Sequence, residues 1–485
     1  MSVIKFENLI AGQWVGAQSG EWFDRTNPAD TSETIGSFPA MSREDGRFAI
    51  EAAAAAATEW REVGIMARAQ ILLDAAVRIR ARDEEIALDI TRENGKTLTE
   101  ARGEVRTAAA FLEYFGGLGR APVGSLLPDA RPGVRGWAAP EPLGVVALIT
   151  PWNDPLVTPA RKMAPALLAG NTVVIKPASH TPLGTLHLVR ALAECGLPPG
   201  VVNVLTGSAS ELGPVLMDST EISAVSFTGS TEVGRSIETK LAGSGTRVQA
   251  EMGGKNAAVV MPDADLDVAV AGIIGGAFGQ TGQRCTATSR LIAHEAIATE
   301  LAERLVAAIE GLHVGAGTED GVQVGPLVTD LHRASVIGAL ERAHTEGATR
   351  LAGGSIPGSS KHSRGHFLLP ALLSGVGTSS QTWQAEIFGP VLAMATTRSL
   401  DEGIEMVNDT RYGLSSSLYS QSLADAYRFS EGVATGQVTV NLPTTGWDVH
   451  VPFGGFGDSG SAFKEHGLDA LRFYSRVKSV MMRVE

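Results

Sequence analysis

The stretch Gly144-Val145-Val146-Ala147-Leu148-Ile149, which runs into Pro151-Trp152-Asn153-Asp154-Pro155, decides the fold. After the glycine every residue to 149 is apolar, with no polar alternation. Such a run fits a strand buried on both faces. The pattern repeats downstream. Residues 159–168 read as a helix closed by Gly170, and Thr172-Val173-Val174-Ile175 as a second strand. Residues 183–194 form a second helix, 201–205 a third strand, 223–227 a fourth strand and 231–242 a third helix. Apolar strands alternating with amphipathic helices predict a parallel sheet covered on both faces. Ligands on such sheets bind at the carboxyl ends of the strands.

Upstream, residues 8–30 read as short strands and turns. Ser42 with Asp45 three positions later is a capping-box-like start. It leads into an Ala-rich helix over 48–60, in which the 52–57 run is strong helix former rather than low complexity. Two helices fill 65–94, ending at Asn94-Gly95 as a C-cap, and another spans 98–115. Pro122, Pro128, Pro132 and Pro140, with Trp137 among them, make 121–141 an extended excursion suited to packing on a partner subunit. A second α/β unit starts after Gly253-Gly254. Its helices are expected at 265–281, 296–311, 400–407 and 422–432, with a surface loop at 353–365. Ala385-Glu386-Ile387-Phe388-Gly389-Pro390-Val391 enters a strand, 437–441 is another, and 472–482 is a late strand that can pair with a sheet edge. No internal repeat is visible.

Length alone suggests about three domain-sized units. A net charge of −13 and a pI near 5.3 argue against general nucleic-acid binding. No apolar run is long and uncharged enough to span a membrane. Met1-Ser2-Val3-Ile4-Lys5-Phe6-Glu7 lacks the layout of a signal peptide. Two cysteines, Cys195 and Cys285, cannot build a disulfide framework in so long a chain, so the expected setting is reducing and cytoplasmic.

The chemistry gathers around Gly282-Gln283-Arg284-Cys285-Thr286-Ala287. A lone cysteine is more often a small buried hydrophobe. This one has company: Glu251 lies 34 positions earlier (285 − 251), and Asn153 earlier still. Together they offer a nucleophile, a base and an oxyanion donor. Cys195, at the end of an amphipathic helix, reads as structural. Phe227-Thr228-Gly229-Ser230-Thr231-Glu232-Val233-Gly234 follows a strand and opens a helix, where bare backbone can meet a pyrophosphate. Its two glycines are five apart (234 − 229), which is not the usual spacing, so a plain strand-to-helix turn stands beside that reading. Lys176, in Ile175-Lys176-Pro177-Ala178-Ser179-His180, is either a solvated charge or a group that reaches ribose hydroxyls or a 2′-phosphate. Ser179 stands where an acidic residue would repel an extra phosphate, so NADP is expected to be accepted as well as NAD. No histidine has metal-ligand spacing with another His or a Cys, and no metal is expected.

Taken in order, these stretches resemble the aldehyde dehydrogenase superfamily over nearly the whole chain, from about Asn8. The ordered set is Pro151-Trp152-Asn153, Lys176-Pro177, Phe227-Thr228-Gly229-Ser230, Glu251-Met252-Gly253-Gly254-Lys255, Gly282-Gln283-x-Cys285, Glu386-Ile387-Phe388-Gly389-Pro390 and Pro452-Phe453-Gly454-Gly455. The resemblance implies an α/β fold with three parts: a Rossmann-like dinucleotide-binding domain (1–120 and 142–252), a second α/β catalytic domain (253–453) and a β oligomerisation arm (121–141 and 466–485). It implies a homo-oligomer, dimer or tetramer, with the arm segments pairing across subunits. It also implies roles. Cys285 attacks the aldehyde as thiolate, and the Asn153 amide with the Cys285 backbone N–H holds the oxyanion. Hydride passes to the nicotinamide, and Glu251 activates the water that hydrolyses the thioester. Trp152, Lys176, Ser179, Gly229, Ser230 and Val233 line the cofactor groove, Glu386 holds the nicotinamide ribose and Phe388 packs by its ring.

Met252, the run Thr286-Ala287-Thr288-Ser289-Arg290 and Asn441-Leu442-Pro443-Thr444 look like the α-ketoglutaric and succinate-semialdehyde dehydrogenases. In those enzymes an Arg after the Trp-Asn motif takes the substrate's far carboxylate, and Arg161 falls at that place; its other reading is a helix-surface Arg. Two departures stand out. Asp154 replaces the usual aromatic of an Asn-Phe-Pro motif, a charge in the substrate tunnel, so Arg161 either binds substrate or pairs with Asp154 and loses its pull. Gly279 stands where many semialdehyde relatives carry an Arg six before the nucleophile. A hydroxylated, amino or aromatic aldehyde therefore remains an alternative substrate. A CoA-acylating enzyme is disfavoured by Glu251, and a non-enzymatic relative by the intact Cys285, Glu251 and Asn153.

Overall fold

The computed structural model describes residues 3–483; Met1, Ser2 and the last two residues of the expected arm, Val484 and Glu485, lie outside them. The run Val145–Ile149 is the central strand of five. Their spatial order is Arg247–Glu251, Ile222–Thr228, Val145–Ile149, Thr172–Lys176, Val202–Val204. All four pairings are parallel. Alternate residues explain the missing polar positions. Val146 and Leu148 pack into one core with Leu72, Ala109 and Met163, while Val145 and Ala147 pack into another with Ile50, Leu212 and Ile237. A strand with a core on each face has no side left for a polar residue.

Seven strands form a second sheet in the order Thr349–Ala352, Ala371–Ser374, Val391–Thr397, Thr288–His294, Asn256–Val260, Ser415–Tyr419, Gln437–Val440. Only the first of these, at the edge, is antiparallel to its neighbour.

The helix signals hold with shifted ends. The Ser42–Asp45 capping box is present and starts a helix at Arg43–Glu62, five residues earlier than expected (48 − 43). Gly95 (φ 96°) and Gly170 (φ 94°) close their helices in the left-handed region that glycine reaches at no cost. The helix expected at 265–281 is Leu266–Phe278. It stops because Gln280 (φ 50°), Thr281 (φ 59°) and Gly282 (φ 68°) turn left-handed in succession. Helices Ala209–Asp218 and Asp330–Thr345 were not foreseen.

The arm strands Ser125–Leu127, Val134–Pro142 and Ser475–Arg483 form a three-stranded antiparallel sheet. The sequence reading paired these segments across subunits. They pair first with each other in one chain, from Ser475↔Pro142 to Arg483↔Val134, which leaves the short strand and the tail strand as the two edges. Lys478 and Arg61 both reach Glu141, at 2.5 and 2.9 Å, and tie the arm to the first helix.

The registers place the site. Ile149 lies beside Lys176 and Phe227, and Thr228 beside Glu251, so the first sheet brings its strand ends to one edge. Asn256 lies beside Thr288, and Ala371 beside Val391, at the starts of strands in the second sheet. The carboxyl edge of one sheet thus meets the amino edge of the other.

Candidate active site

Cys285 sits at that meeting, between the left-handed turn and the strand Thr288–His294. A Cβ on Gly282 would lie 2.3 Å from the Gly389 carbonyl oxygen, so the turn requires glycine there. Asn256 fixes the backbone on the C-terminal side of the turn. Its Nδ2 donates to the carbonyls of Cys285 (2.7 Å) and Ala287 (2.9 Å), and its Oδ1 accepts from the Ser415 N–H (3.0 Å). Cys285 lines two cavities at once. One, of about 410 Å³, has Trp152, Asn153, Gly229, Ser230, Val233, Glu386 and Phe388 in its wall. The other, of about 330 Å³, has Phe111, Gln280, Arg284, Trp447 and Phe453. Asp154 and Arg161 belong to both walls. Burial pushes the Cys285 thiol up to about 12; Arg161 opposes this, while Asp154, Glu386 and Glu251 add to it. A roomier open groove, about 1180 Å³ and bordered by Glu303, Glu405 and Met406, holds no cysteine or cation, so volume alone does not mark the site.

In the larger of the two site cavities, Trp152, Phe388 and His332 form an edge-to-face cluster, with ring separations of 5.4, 5.6 and 6.2 Å. His332 Nε2 pairs with the Phe388 carbonyl at 2.8 Å and helps to hold Phe388 at its left-handed φ of 58°. Glu386 takes one backbone donor, Gly254 N–H at 3.0 Å, and its other oxygen has no donor among the described residues. Burial lifts this carboxyl to about 7. Gly253 makes room for it, since a Cβ there would lie 2.1 Å from Oε2. Ser230 caps the helix Thr231–Leu241 by accepting from Val233 N–H. An aromatic cluster, an unspent carboxylate and a capped helix N-terminus fit a dinucleotide. Lys176 and Ser179 stand outside this wall. Lys176 is buried and among the described residues donates only to the Pro177 carbonyl (3.3 Å), and burial lowers it to about 8. The Ser179 hydroxyl donates to the Gly207 carbonyl at 2.6 Å.

Asn153 is buried, and its side-chain amide makes no hydrogen bond to the described residues; its carbonyl accepts from Lys96 Nζ at 2.8 Å. Glu251 is also buried, and both carboxyl oxygens lack partners among the described residues. It lines neither cavity and lies instead under Gly454, where a Cβ would come within 2.7 Å of Oε1. Burial, then Glu465, hold its carboxyl well above the usual range, against Arg161, Lys162 and Lys464.

The alternative Asp154–Arg161 pair does not form. Asp154 accepts instead from Lys96 (3.2 Å) and Gln280 Nε2 (3.0 Å). Burial would raise its carboxyl, but Lys96, Arg284 and Gln280 outweigh that and hold it below the ordinary range. Arg161 is buried rather than on a helix surface. Its Nε stands 2.7 Å from Glu465 Oε2, out of line for a hydrogen bond, and its guanidinium lies 5.2 Å from the Phe453 ring. Glu465 also pairs with Lys162.

The aldehyde dehydrogenase family model matches residues 14–480. This chain belongs to the aldehyde dehydrogenase family. As a member it is an NAD(P)-dependent oxidoreductase acting on aldehydes. It is 40% identical over 475 residues, 98% of each chain, to an alpha-ketoglutarate semialdehyde dehydrogenase of Haloferax volcanii. It is 42% identical to a 2,5-dioxopentanoate dehydrogenase of Saccharolobus solfataricus, over 97% of this chain and 98% of that one. Its structure matches the betaine aldehyde dehydrogenase of Staphylococcus aureus solved with NAD+, at a TM-score of 0.96 and 31% identity, covering 99% of this chain and 95% of that one.

Several residues of this aldehyde dehydrogenase escaped the sequence reading. Lys96 follows the Asn94-Gly95 cap, where the sequence shows only the end of a helix; it binds Glu104 (2.5 Å), Asp154 and the Asn153 carbonyl while fully buried. Gln280 falls inside the helix expected at 265–281, which in the structure has already ended. His332 lies on a helix that was not foreseen. Glu465 and Lys162 approach from 303 residues apart (465 − 162), which no local pattern shows. No helix among the described residues is long and apolar enough to cross a membrane.

Proposed function

We propose that this aldehyde dehydrogenase oxidises a small semialdehyde to the corresponding acid through a thioester on Cys285. The observation that carries the reading is the position of Cys285 in the wall of both cavities, one fitted to a dinucleotide and one to a short aldehyde. Trp152, Gly229, Ser230, Val233, Glu386 and Phe388 would hold NAD(P), with Lys176 and Ser179 toward the adenosine ribose, and the bound cofactor supplies the hydride acceptor. Cys285 gives up its proton to solvent water, and its sulfur bonds to the aldehyde carbon as the carbonyl π pair moves onto oxygen. The Asn153 amide, spare of protein partners, donates to the oxygen that becomes an anion. Loss of hydride from that carbon leaves a thioester. Glu251 then takes a proton from water, which attacks the thioester, breaks the carbon–sulfur bond and releases the acid. A carboxyl lifted by burial is a better base near neutrality than an ordinary glutamate. For this step Glu251 swings from beneath Gly454 into the cavity.

The semialdehyde reading draws on the two relatives named for such substrates and on the cationic Arg161 and Arg284 in the cavity wall. The same reading places domains at 1–120 with 142–252 and at 253–453, and an arm at 121–141 with 466–485. We place the enzyme in the cytoplasm, where its two free cysteines suit a reducing setting, and as a homo-oligomer, because Leu126, Val477 and Met482 stand exposed on the edges of the arm sheet. The test is Cys285→Ala, which should abolish aldehyde oxidation while titration still shows cofactor binding, with Cys195→Ala silent. Turnover near wild type in Cys285→Ala would overturn the mechanism.

A further inference from the structure

The aldehyde cavity holds more charge than its own pairs consume. Its acids are committed. Glu100 accepts from Thr97 N–H and Oγ1 (both 3.0 Å) and from Gln280 N–H (2.6 Å). Glu104 takes Lys96, Leu156 N–H and Val157 N–H, and Asp154 takes Lys96 and Gln280. Among the cations, Arg161 stands against Glu465. His466 lies between Phe111 and Phe453, and burial drives it down to about 3, so it is neutral. Arg284 is the one arginine of this wall without an ion pair among the described residues. Its side chain has no hydrogen bond or ion pair among the described residues, although it lines the cavity beside Cys285. Its guanidinium borders Gly279 together with the Glu100 carboxylate: a Cβ built there would lie 3.5 Å from Nη1, 3.7 Å from Glu100 Oε1 and 3.8 Å from Cζ. Trp447 lines the same cavity, and its Nε1 is enclosed with no acceptor among the described residues.

We propose that Arg284, beside Gly279, is the specificity-determining residue that takes the substrate's distal carboxylate, with Trp447 Nε1 as a second donor. The proposal rests on the semialdehyde reading. Asp154 and Glu100 lie near this half-enclosed guanidinium, but neither forms an ion pair or hydrogen bond with it, so its five N–H donors are free for a carboxylate to satisfy in bidentate fashion. Asp154 faces the same cavity, but its charge is spent on Lys96 and Gln280, so it does not select an ammonium-bearing substrate.

The experiment compares kcat/KM for succinate semialdehyde, butanal and aminobutanal in wild type, Arg284→Met and Arg284→Lys. In Arg284→Met the preference for succinate semialdehyde over butanal should fall by about tenfold or more, the scale of one lost charge-assisted contact. The fall should appear chiefly in KM, and Arg284→Lys should restore part of the preference. If Arg284→Met does not fold, Arg284→Gln and a salt titration of wild type replace it: KM for succinate semialdehyde must rise with ionic strength while that for butanal stays level. A wild type that prefers succinate semialdehyde and a variant that keeps the whole preference would overturn the role of Arg284 alone. A wild type that prefers butanal or aminobutanal would overturn the semialdehyde reading, and this proposal with it.

Discussion

Lys96 Nζ donates to the Asn153 carbonyl at 2.8 Å from a fully buried position, and the same ammonium holds Glu104 and Asp154. One cation therefore anchors the backbone of the proposed oxyanion donor and bridges two acids in the wall of the aldehyde cavity. Lys96→Met would leave those acids without their cation. Stability should fall by about 3 kcal/mol or more, the usual scale for breaking a buried ion pair. kcat should fall as well, because Asn153 loses its anchor. Denaturant unfolding and steady-state kinetics check both; unchanged stability would mean that water or Arg284 replaces the ammonium.

The pH profile follows from two groups raised in the same direction. Burial keeps the Cys285 thiol and the Glu251 carboxyl protonated to higher pH than in free solution. The reactive forms are the thiolate and the carboxylate, so both gain population as pH rises. kcat/KM should climb through neutrality on the alkaline side. Arg161 is the cation that opposes burial at Cys285, so Arg161→Met should move the limb further alkaline. A maximum below neutrality in wild type would contradict this.

Much of the first sheet was legible in the sequence because strands buried on both faces have no polar residue to blur them, as Val145–Ile149 shows. The Ser42 box and the Gly95 and Gly170 caps were legible because each is a local hydrogen-bond device. The helix Asp330–Thr345 was not, although Val336, Ala339, Leu340 and Ala343 are buried at helical spacing; the signal is short and set among polar residues. The end of Leu266–Phe278 was hidden because Gln280 and Thr281 carry no glycine-like warning of positive φ. Tertiary contact with Glu100 and Gly325 holds those two residues. The Arg161–Asp154 pair failed because closeness in sequence suggested it, whereas Glu465 and Lys96 arrive from other parts of the chain.

Cofactor preference rests on an absent charge. In the proposed cofactor assignment Ser179 faces the adenosine ribose and brings no anion there; its hydroxyl is already bonded to Gly207. A carboxylate about 4 Å from a 2′-phosphate would cost roughly 1–4 kcal/mol per charge pair. Ser179→Glu should therefore cut kcat/KM for NADP far more than for NAD. A wild type that already discriminates against NADP by about a hundredfold, a gap of roughly 2.8 kcal/mol, would contradict the assignment of Lys176 and Ser179.

Assembly should be visible in solution. Leu126 is 89% exposed and Val477 73%, on opposite edge strands of the arm sheet. Light scattering at micromolar concentration should give a dimer or a tetramer, and Val477→Asp should weaken it. A monomeric wild type would contradict the role given to the arm.

The division of labour between Cys285 and Glu251 is the centre of the mechanism, and Glu251→Gln tests it most directly. The measurement is rapid mixing of this variant with aldehyde and cofactor, followed by nicotinamide absorbance and by the intact mass of quenched protein. A burst of reduced cofactor, an acyl adduct on Cys285 and steady turnover lower by about 10²-fold or more are expected. Steady turnover equal to wild type, or a slowed reaction with neither burst nor adduct, would contradict it.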